Sequence, residues 1–492
     1  MPVPAPGDLS GKDRARSSEK ILVLFFLLSL PLMNPLVRGD GVGYYAFARA
    51  PLIEHRLDFT NDYLRANASF REPRVDENGR IRQALVTSTG HLDNHFTPGP
   101  AILWSPFLLL AHAGVLAARA LGSAVAADGF SAPYRWAMAL GTALYGFLGL
   151  LLSFRLAVKY VHWRWALLAT IGIWGASSLP VYMYFNPSWS HAHSAFCVAL
   201  LLFYWDKTSG ERTLGQWLLL GALAGLMLNV YYPNALLLAA PGVEALREYA
   251  RRLRAPAAKW RGAGQLLGRH VAFSAVTLLC LLPTFLTRQI IYGNPFESGY
   301  IPLSHWLWRS PALLAVLFSA NHGLFSWTPV LLLACAGLVV FALRQPRVGG
   351  ALLAAAGAYY LFIACYPTWN GLSSYGNRFF VSLTPLFIVG LAALLETLAA
   401  AWSRERAALG AASAAIALFI VWNLGFIYQW GTQLVPAHGP ISWSKMVHNQ
   451  FVAVPRQLGG DMRTYLFRRS AMMQSIERKN IELMESQPPG HH

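Results

Sequence analysis

Apolar and polar positions in this chain alternate on the scale of whole helices rather than single turns. Apolar runs of roughly 17 to 22 residues recur from one end to the other, long enough to cross a hydrocarbon core of about 30 Å. They fall near 21–37, 133–153, 165–183, 192–206, 215–230, 234–246, 270–289, 326–343, 349–366, 379–399 and 408–428. The piece at 234–246 is the weakest, being short for a crossing. The pattern predicts an all-α polytopic membrane protein with about 11 transmembrane helices, or 12 if a further stretch at 98–120 also spans.

The polar intervals set the orientation. Basic clusters occur at the N-terminus (Lys12, Arg14, Arg16, Lys20), at Arg155/Lys159/Arg164, across 247–269, at Arg344/Arg347 and at Arg404/Arg406. With 11 spans all of them land on one side, the cytoplasmic one by the positive-inside rule. The N-terminus is then cytoplasmic and the C-terminus outside. Counting 98–120 as a span would move the Arg155 cluster outside. Pro98, Pro100 and Pro106 restrict the start of that stretch, and Trp104 suits an interface. It reads as a juxtamembrane helix within a first external loop at 38–132, with an ordinary twelfth span as the alternative. The expected organisation is a cytoplasmic tail at 1–20, a transmembrane domain at 21–430 and an external tail at 431–492. In that tail 430–460 reads as loop, and 463–484 has the spacing of an amphipathic helix that packs on the first loop or lies on the membrane.

Composition agrees with this picture. Only 13% of the 492 residues are charged, against about 25% in soluble domains. The formal charge of +17 does not point to nucleic acid, because the basic residues sit in short loops between apolar segments. Four cysteines lie in apolar segments without metal-ligand spacing and read as packing residues. The 21–37 run is too long for a cleaved leader and lacks a small-residue cleavage site, so it reads as a retained first span.

Under this topology the chemistry collects on the outer face. Asp40 stands in Arg38-Gly39-Asp40-Gly41-Val42-Gly43-Tyr44-Tyr45, directly after the first span. It is either a solvated helix-end carboxylate or a general base, and the interleaved glycines, which let backbone approach a ligand, favour the second. Asp93 and His95 form a pair suited to binding hydroxyls or orienting a base, with no third ligand at a diagnostic metal spacing. Asn186 precedes His191 and His193, which point to different faces of a helix, so that one of the two is the candidate donor to a phosphate. Glu297 and His322 lie in the fourth external loop. Trp369, Asn370 and Tyr375 lie in the fifth, which ends on Arg378 at the mouth of a span. A guanidinium fork there suits a phosphate, with snorkelling from a helix end as the plain alternative.

Several of these features together resemble the GT-C superfamily of polyprenyl-phosphate-sugar-dependent membrane glycosyltransferases. They are Asp40 after the first span, a large first external loop, the Pro98-Gly99-Pro100 helix start, the histidine-rich turn after the third span and the 11 spans. The Tyr292-Gly293-Asn294-Pro295-Phe296 turn and the Trp369-to-Arg378 segment look like the protein mannosyltransferase/aminoarabinose transferase-like branch. The resemblance covers roughly residues 20 to 430. It implies a GT-C-like fold in a bacterial inner membrane, with the active site and C-terminus periplasmic, a juxtamembrane helix in the first loop and Asp40 as general base. It also implies an inverting transfer from a polyprenyl-phosphate sugar to a lipid or glycan acceptor hydroxyl. Arg378 with His191 or His193 would hold the donor phosphate. Asp93, His95, Tyr44, Tyr45, Asn186, Glu297, His322, Trp369, Asn370 and Tyr375 would line the substrate site.

The chain departs from its relatives in lacking the paired Asp-Glu of protein mannosyltransferases and the Asp-x-Asp of metal-dependent oligosaccharyltransferases. Thr97-Pro98-Gly99-Pro100 also replaces the Lys-Pro-Pro of aminoarabinose transferases. No cofactor is indicated, and metal dependence is not carried over. The competing class is a transporter or flippase, which would place ionisable groups at mid-membrane on broken, repeated helices. Most spans here lack central carboxylates, and no internal repeat is evident.

Overall fold

The structure, a computed structural model, describes residues 9–254 and 260–485. Residues 1–8 of the expected tail, 255–259 of the basic 247–269 stretch and 486–492 lie outside the described residues. Among those described the fold is all-α, with isolated bridges at Val75–Ile81 and Val86–Leu92 in place of strands.

The long helices, numbered in chain order, are α1 (Leu9–Ser29), α2 (Asp40–Arg49), α3 (Gly99–Ala120), α4 (Ala132–Ala157) and α5 (Trp163–Ala176). There follow α6 (His191–Lys207), α7 (Leu214–Val230), α8 (Ala239–Leu253), α9 (Trp260–Cys280) and α10 (Leu282–Tyr292). The last set is α11 (Val330–Arg344), α12 (Val348–Cys365), α13 (Thr384–Ala399), α14 (Glu405–Gly431), α15 (Trp443–Phe451), α16 (Ala453–Phe467) and α17 (Arg469–Glu485).

Five helical segments are long and apolar enough to cross a bilayer: α3, α4, α12, Arg378–Ala399 and α14. The pair α9/α10, bent by 44°, makes a sixth. Length and apolarity thus account for five or six crossings among the described residues, and the expected count of 11 is not established by them. Leucines on the outer faces of α1 (Leu24, Leu27, Leu28) and α14 (Leu418) are exposed, as lipid-facing side chains are.

Two expectations are corrected. The stretch 234–246 is not one apolar helix: a 3-10 turn at Tyr232–Leu238 leads into α8, which carries Glu244, Arg247, Glu248, Arg251 and Arg252. Pro233 removes an amide donor there and Pro241 follows at the start of α8, while the charges hold one face of α8 out of an apolar layer. The 430–460 stretch is not loop throughout, since α15 and most of α16 lie within it. Ser442 caps α15 by accepting from the Lys445 amide, and Met446 and Val454 bury themselves against the bundle.

Close crossings of small residues hold the bundle together. α11 and α13 cross where Gly337 faces Gly390: a Cβ on Gly337 would lie 1.9 Å from the Gly390 carbonyl oxygen. Only two glycines allow such an approach, the small-residue packing that membrane helices use in place of a hydrophobic driving force. The arrangement gathers the end of α1, the start of α2, the start of α6 and the turn before α13 at one end of the bundle.

Candidate active site

The centre of this end is one ion pair. Asp40 is the first residue of α2, so the carboxylate that follows the first apolar run starts a helix. A negative charge is favoured at that position by the helix dipole. Arg378, which opens the 3-10 turn leading into α13, donates from Nη1 to Asp40 Oδ2 at 2.6 Å across 338 residues of sequence. The Arg378 side chain is 12% exposed and the Asp40 side chain 33%. The guanidinium lies 4.6 Å from the centroid of the Trp189 ring, a cation–π contact, and its Nε is buried without a partner.

Packing, rather than freedom to meet a ligand, explains two of the three glycines here. A Cβ on Gly41 would come within 1.9 Å of Ser188 Oγ, and one on Gly43 within 2.1 Å of the Phe96 ring. Gly39 has φ +55°, a conformation that favours glycine, and it lies against Trp189, whose Nε1 donates to the Arg38 carbonyl. Trp189 therefore forms a floor beneath both Gly39 and Arg378.

Around the pair stand aromatic rings and unpartnered polar atoms. His191 packs 4.6 Å from Tyr182 and 5.7 Å from Tyr231, centroid to centroid, and its Nδ1 is buried without a partner, as is Ser188 Oγ. Burial raises the Tyr44 phenol well above its usual range, so it stays a neutral donor. Tyr44 also packs against Phe96, with the ring centroids 4.7 Å apart and the planes tilted by 50°. Asn94 donates to the Gly43 carbonyl at 3.0 Å, and Arg288 of α10 donates to the carbonyls of Asn94, His95 and Phe96. That clamp docks the 93–96 loop on α2. Burial opposes ionisation of Asp93, but bonds from His95 and Tyr292 outweigh it and hold the carboxyl below its usual range. His95 meets Tyr300 edge-on at 4.9 Å, and burial raises the Tyr300 phenol well above its usual range.

The site residues expected from sequence divide accordingly. Asp40, Arg378, His191 and Tyr44 come together, and Asp93 and His95 flank them. Asn186 accepts from Arg38 Nε and Nη2 at 2.9 and 2.7 Å and so braces the residue two before Asp40. The others lie elsewhere. His193 is fully buried between Trp104 and Tyr145, on the far face of α6 from His191. Tyr45 turns away to donate to the Gly129 carbonyl at 2.7 Å. Glu297 is an exposed turn residue that accepts from the Gly299 amide. His322 is buried and stacked on Trp327, and burial pushes it down to about 3, so it is neutral. Tyr375 donates to Asn423 inside the bundle; Asn370 and Trp369 accept bonds that shape the turn before Arg378.

Two solved structures share the architecture. ArnT from Cupriavidus metallidurans, solved bound to undecaprenyl phosphate, aligns with TM-score 0.50 and 16% identity over 95% of this chain and 75% of its own. An Archaeoglobus fulgidus oligosaccharyltransferase, solved with Zn and sulfate, aligns with TM-score 0.51 and 18% identity over 84% of this chain and 55% of its own. The chain has the GT-C fold. Neither a family model nor a curated protein matches the sequence. Asp40 is paired with a guanidinium, and no group of three His, Cys, Asp or Glu gathers among the described residues.

The GT-C bundle also brings in residues that the sequence did not single out. Trp189, Tyr182, Tyr231, Tyr300 and Ser188 are among them, as are Arg38 and Arg288. The least expected contribution comes from the C-terminal helices. Asn67 accepts from the Gly39 amide at 3.3 Å and donates to Glu477 of α17 at 3.0 Å, while Glu477 also accepts from the Ser69 amide at 2.7 Å. Burial opposes ionisation of Glu477, and these bonds overcome it to hold the carboxyl below its usual range. Tyr465 and Arg469 donate to carbonyls of residues 31–33 at the end of α1. α16 and α17 thus strap the segment that carries Asp40.

Proposed function

We propose that the protein is an inverting glycosyltransferase that moves a sugar from a polyprenyl-phosphate donor to an acceptor hydroxyl on the outer face of the membrane. The observation that carries this is the Asp40–Arg378 pair: a partly exposed carboxylate held by a buried guanidinium whose Nε has no partner. A saturated structural pair leaves no donors over, whereas this one is built to accept a further anion. ArnT with its undecaprenyl phosphate shows the same fold around a lipid phosphate.

In the proposed reaction the donor phosphate enters beside Arg378 and takes up the free guanidinium donors, with His191 and Ser188 as further hydrogen-bonding groups. Competition for Arg378 loosens its hold on Asp40. The acceptor oxygen attacks the anomeric carbon from the face opposite the phosphate, and its proton passes to Asp40. The carbon–phosphate oxygen bond breaks, and its electron pair leaves with the polyprenyl phosphate, whose added negative charge Arg378 neutralises. General-base assistance of this kind supplies about 10²–10⁴ in rate, and fixed donors on the developing charge supply the electrostatic share. Asp93, His95 and Tyr300 are placed to bind hydroxyls of sugar or acceptor.

The test is transfer in vitro from a panel of polyprenyl-phosphate sugars, with the anomeric configuration of the product determined. Wild type should invert configuration with at least one donor, and Asp40→Asn should lose transfer while remaining folded. Retention of configuration would overturn the single-displacement mechanism.

A further inference from the structure

The opposite end of the bundle holds a second polar cavity. α6 runs from His191 beside Arg378 to Asp206 and Lys207, and the 15 steps from His191 to Asp206 rise about 22 Å. There, between α6, α7, α8 and α9, lies a cavity of about 1000 Å³. Six arginines line it (Arg212, Arg247, Arg251, Arg252, Arg269 and Arg347), against four carboxylates.

Most of these charges are spoken for. Arg212 pairs with Glu244 at 2.9 Å, Arg251 and Arg252 with Glu248 at 2.8 and 2.7 Å, and Arg247 donates to the Arg347 and Pro346 carbonyls. Two donors stand out among the described residues. Arg269 makes no ion pair or hydrogen bond among the described residues, although it faces the cavity. Trp217, 7% exposed, lines the same wall with its Nε1 buried and unpartnered. A buried N–H without an acceptor is destabilising. A cavity that combines such a donor with an unpaired guanidinium and an excess of cations is complementary to an anion.

We propose that this cavity binds the phosphate of an anionic phospholipid, with Trp217 Nε1 and Arg269 as the donors that receive it. The lipid source is favoured by the rim. Leu214 and Leu218 of α7 and Leu267 and Val271 of α9 are exposed apolar side chains at this end of the two helices, where acyl chains would lie. Basic pockets between membrane helices hold such head groups elsewhere. This site is independent of the transfer chemistry, so its failure would leave that reading untouched.

The test is binding of phosphatidylglycerol and phosphatidylcholine to the purified full chain in detergent micelles, followed by native mass spectrometry and by the shift of the thermal midpoint. Wild type should bind phosphatidylglycerol preferentially. Arg269→Gln and Trp217→Phe, which keeps the ring, should each weaken that binding about tenfold with the lipid-free midpoint unchanged. Competition by glycerol 3-phosphate supports the phosphate as the recognised group. Binding of glycerol 3-phosphate by a protein that does not bind phosphatidylglycerol would keep the anion site and overturn its lipid occupant. Equal binding of the two phospholipids, or unchanged binding in both variants, would overturn the proposal.

Discussion

Two arginine–aspartate pairs stand within reach of α2, and they differ in the way that separates scaffold from site. Arg49, at the end of α2, binds Asp62 through both Nε and Nη2 at 2.7 and 2.6 Å and Glu54 through Nη1 at 2.6 Å, with no exposure of its side chain. Every charged group there has its partner. Arg378 holds Asp40 through one bond, keeps Nε free and leaves the carboxylate one-third exposed. The first pair is complete without a ligand and fixes the first loop. The second has donors to spare at the place where unpartnered Ser188 and His191 also gather. Between these two pairs, hydrogen-bond satisfaction rather than charge tells scaffold from site.

Substitution of each arginine should break the comparison most visibly. Arg49→Gln strands the buried Asp62 carboxylate and leaves Glu54 to Asn61 and Arg56; it should destabilise the protein by about 3–5 kcal/mol, read as lost folded yield and a lower thermal midpoint. Arg378→Gln should leave the midpoint near wild type and lower the transfer rate by about 10²–10³. Equal loss of stability in the two would erase the distinction. Gly41→Ala drives a methyl into Ser188 and should cost about 1–3 kcal/mol, seen in the same melting experiment.

A finer test concerns the strap. Glu477→Ala frees Asn67, which orients Gly39, and should lower kcat about tenfold with KM little changed. Glu477→Gln, which keeps an acceptor for the Ser69 amide, should restore most of the loss. Equal defects in the two would mean that the strap serves stability alone. The smallest effect is expected in acid. Glu54, held by its bond to Arg49, titrates at about 2 rather than at its ordinary 4.5. Its contribution is therefore complete above about pH 4.5 and lost as pH falls toward 2, a decline that Glu54→Gln should flatten.

The halves of the site were unequally legible. Asp40 stood out for the glycines interleaved around it and Arg378 for closing a polar turn at the mouth of a span, and outward sidedness brought both to one end. Trp189, Tyr182 and Tyr231 did not, since an aromatic at a membrane interface reads the same whether it meets lipid or floors a site. Helical geometry said that His191 and His193 face apart, but only packing against Trp104 and Tyr145 decided which one turns inward. The strap was invisible for another reason: α17 acts through Asn67, more than 400 positions away, by bonds to backbone and amide groups that no motif records.

The central claim is that Arg378 exchanges Asp40 for a lipid phosphate, and binding of undecaprenyl phosphate to wild type, Asp40→Asn and Arg378→Gln tests it most directly. With its carboxylate competitor neutralised, Asp40→Asn should bind the lipid phosphate at least as tightly as wild type while transferring no sugar. Arg378→Gln should bind it more weakly. Binding lost in Asp40→Asn and kept in Arg378→Gln, or transfer by Asp40→Asn at the wild-type rate, would contradict the account.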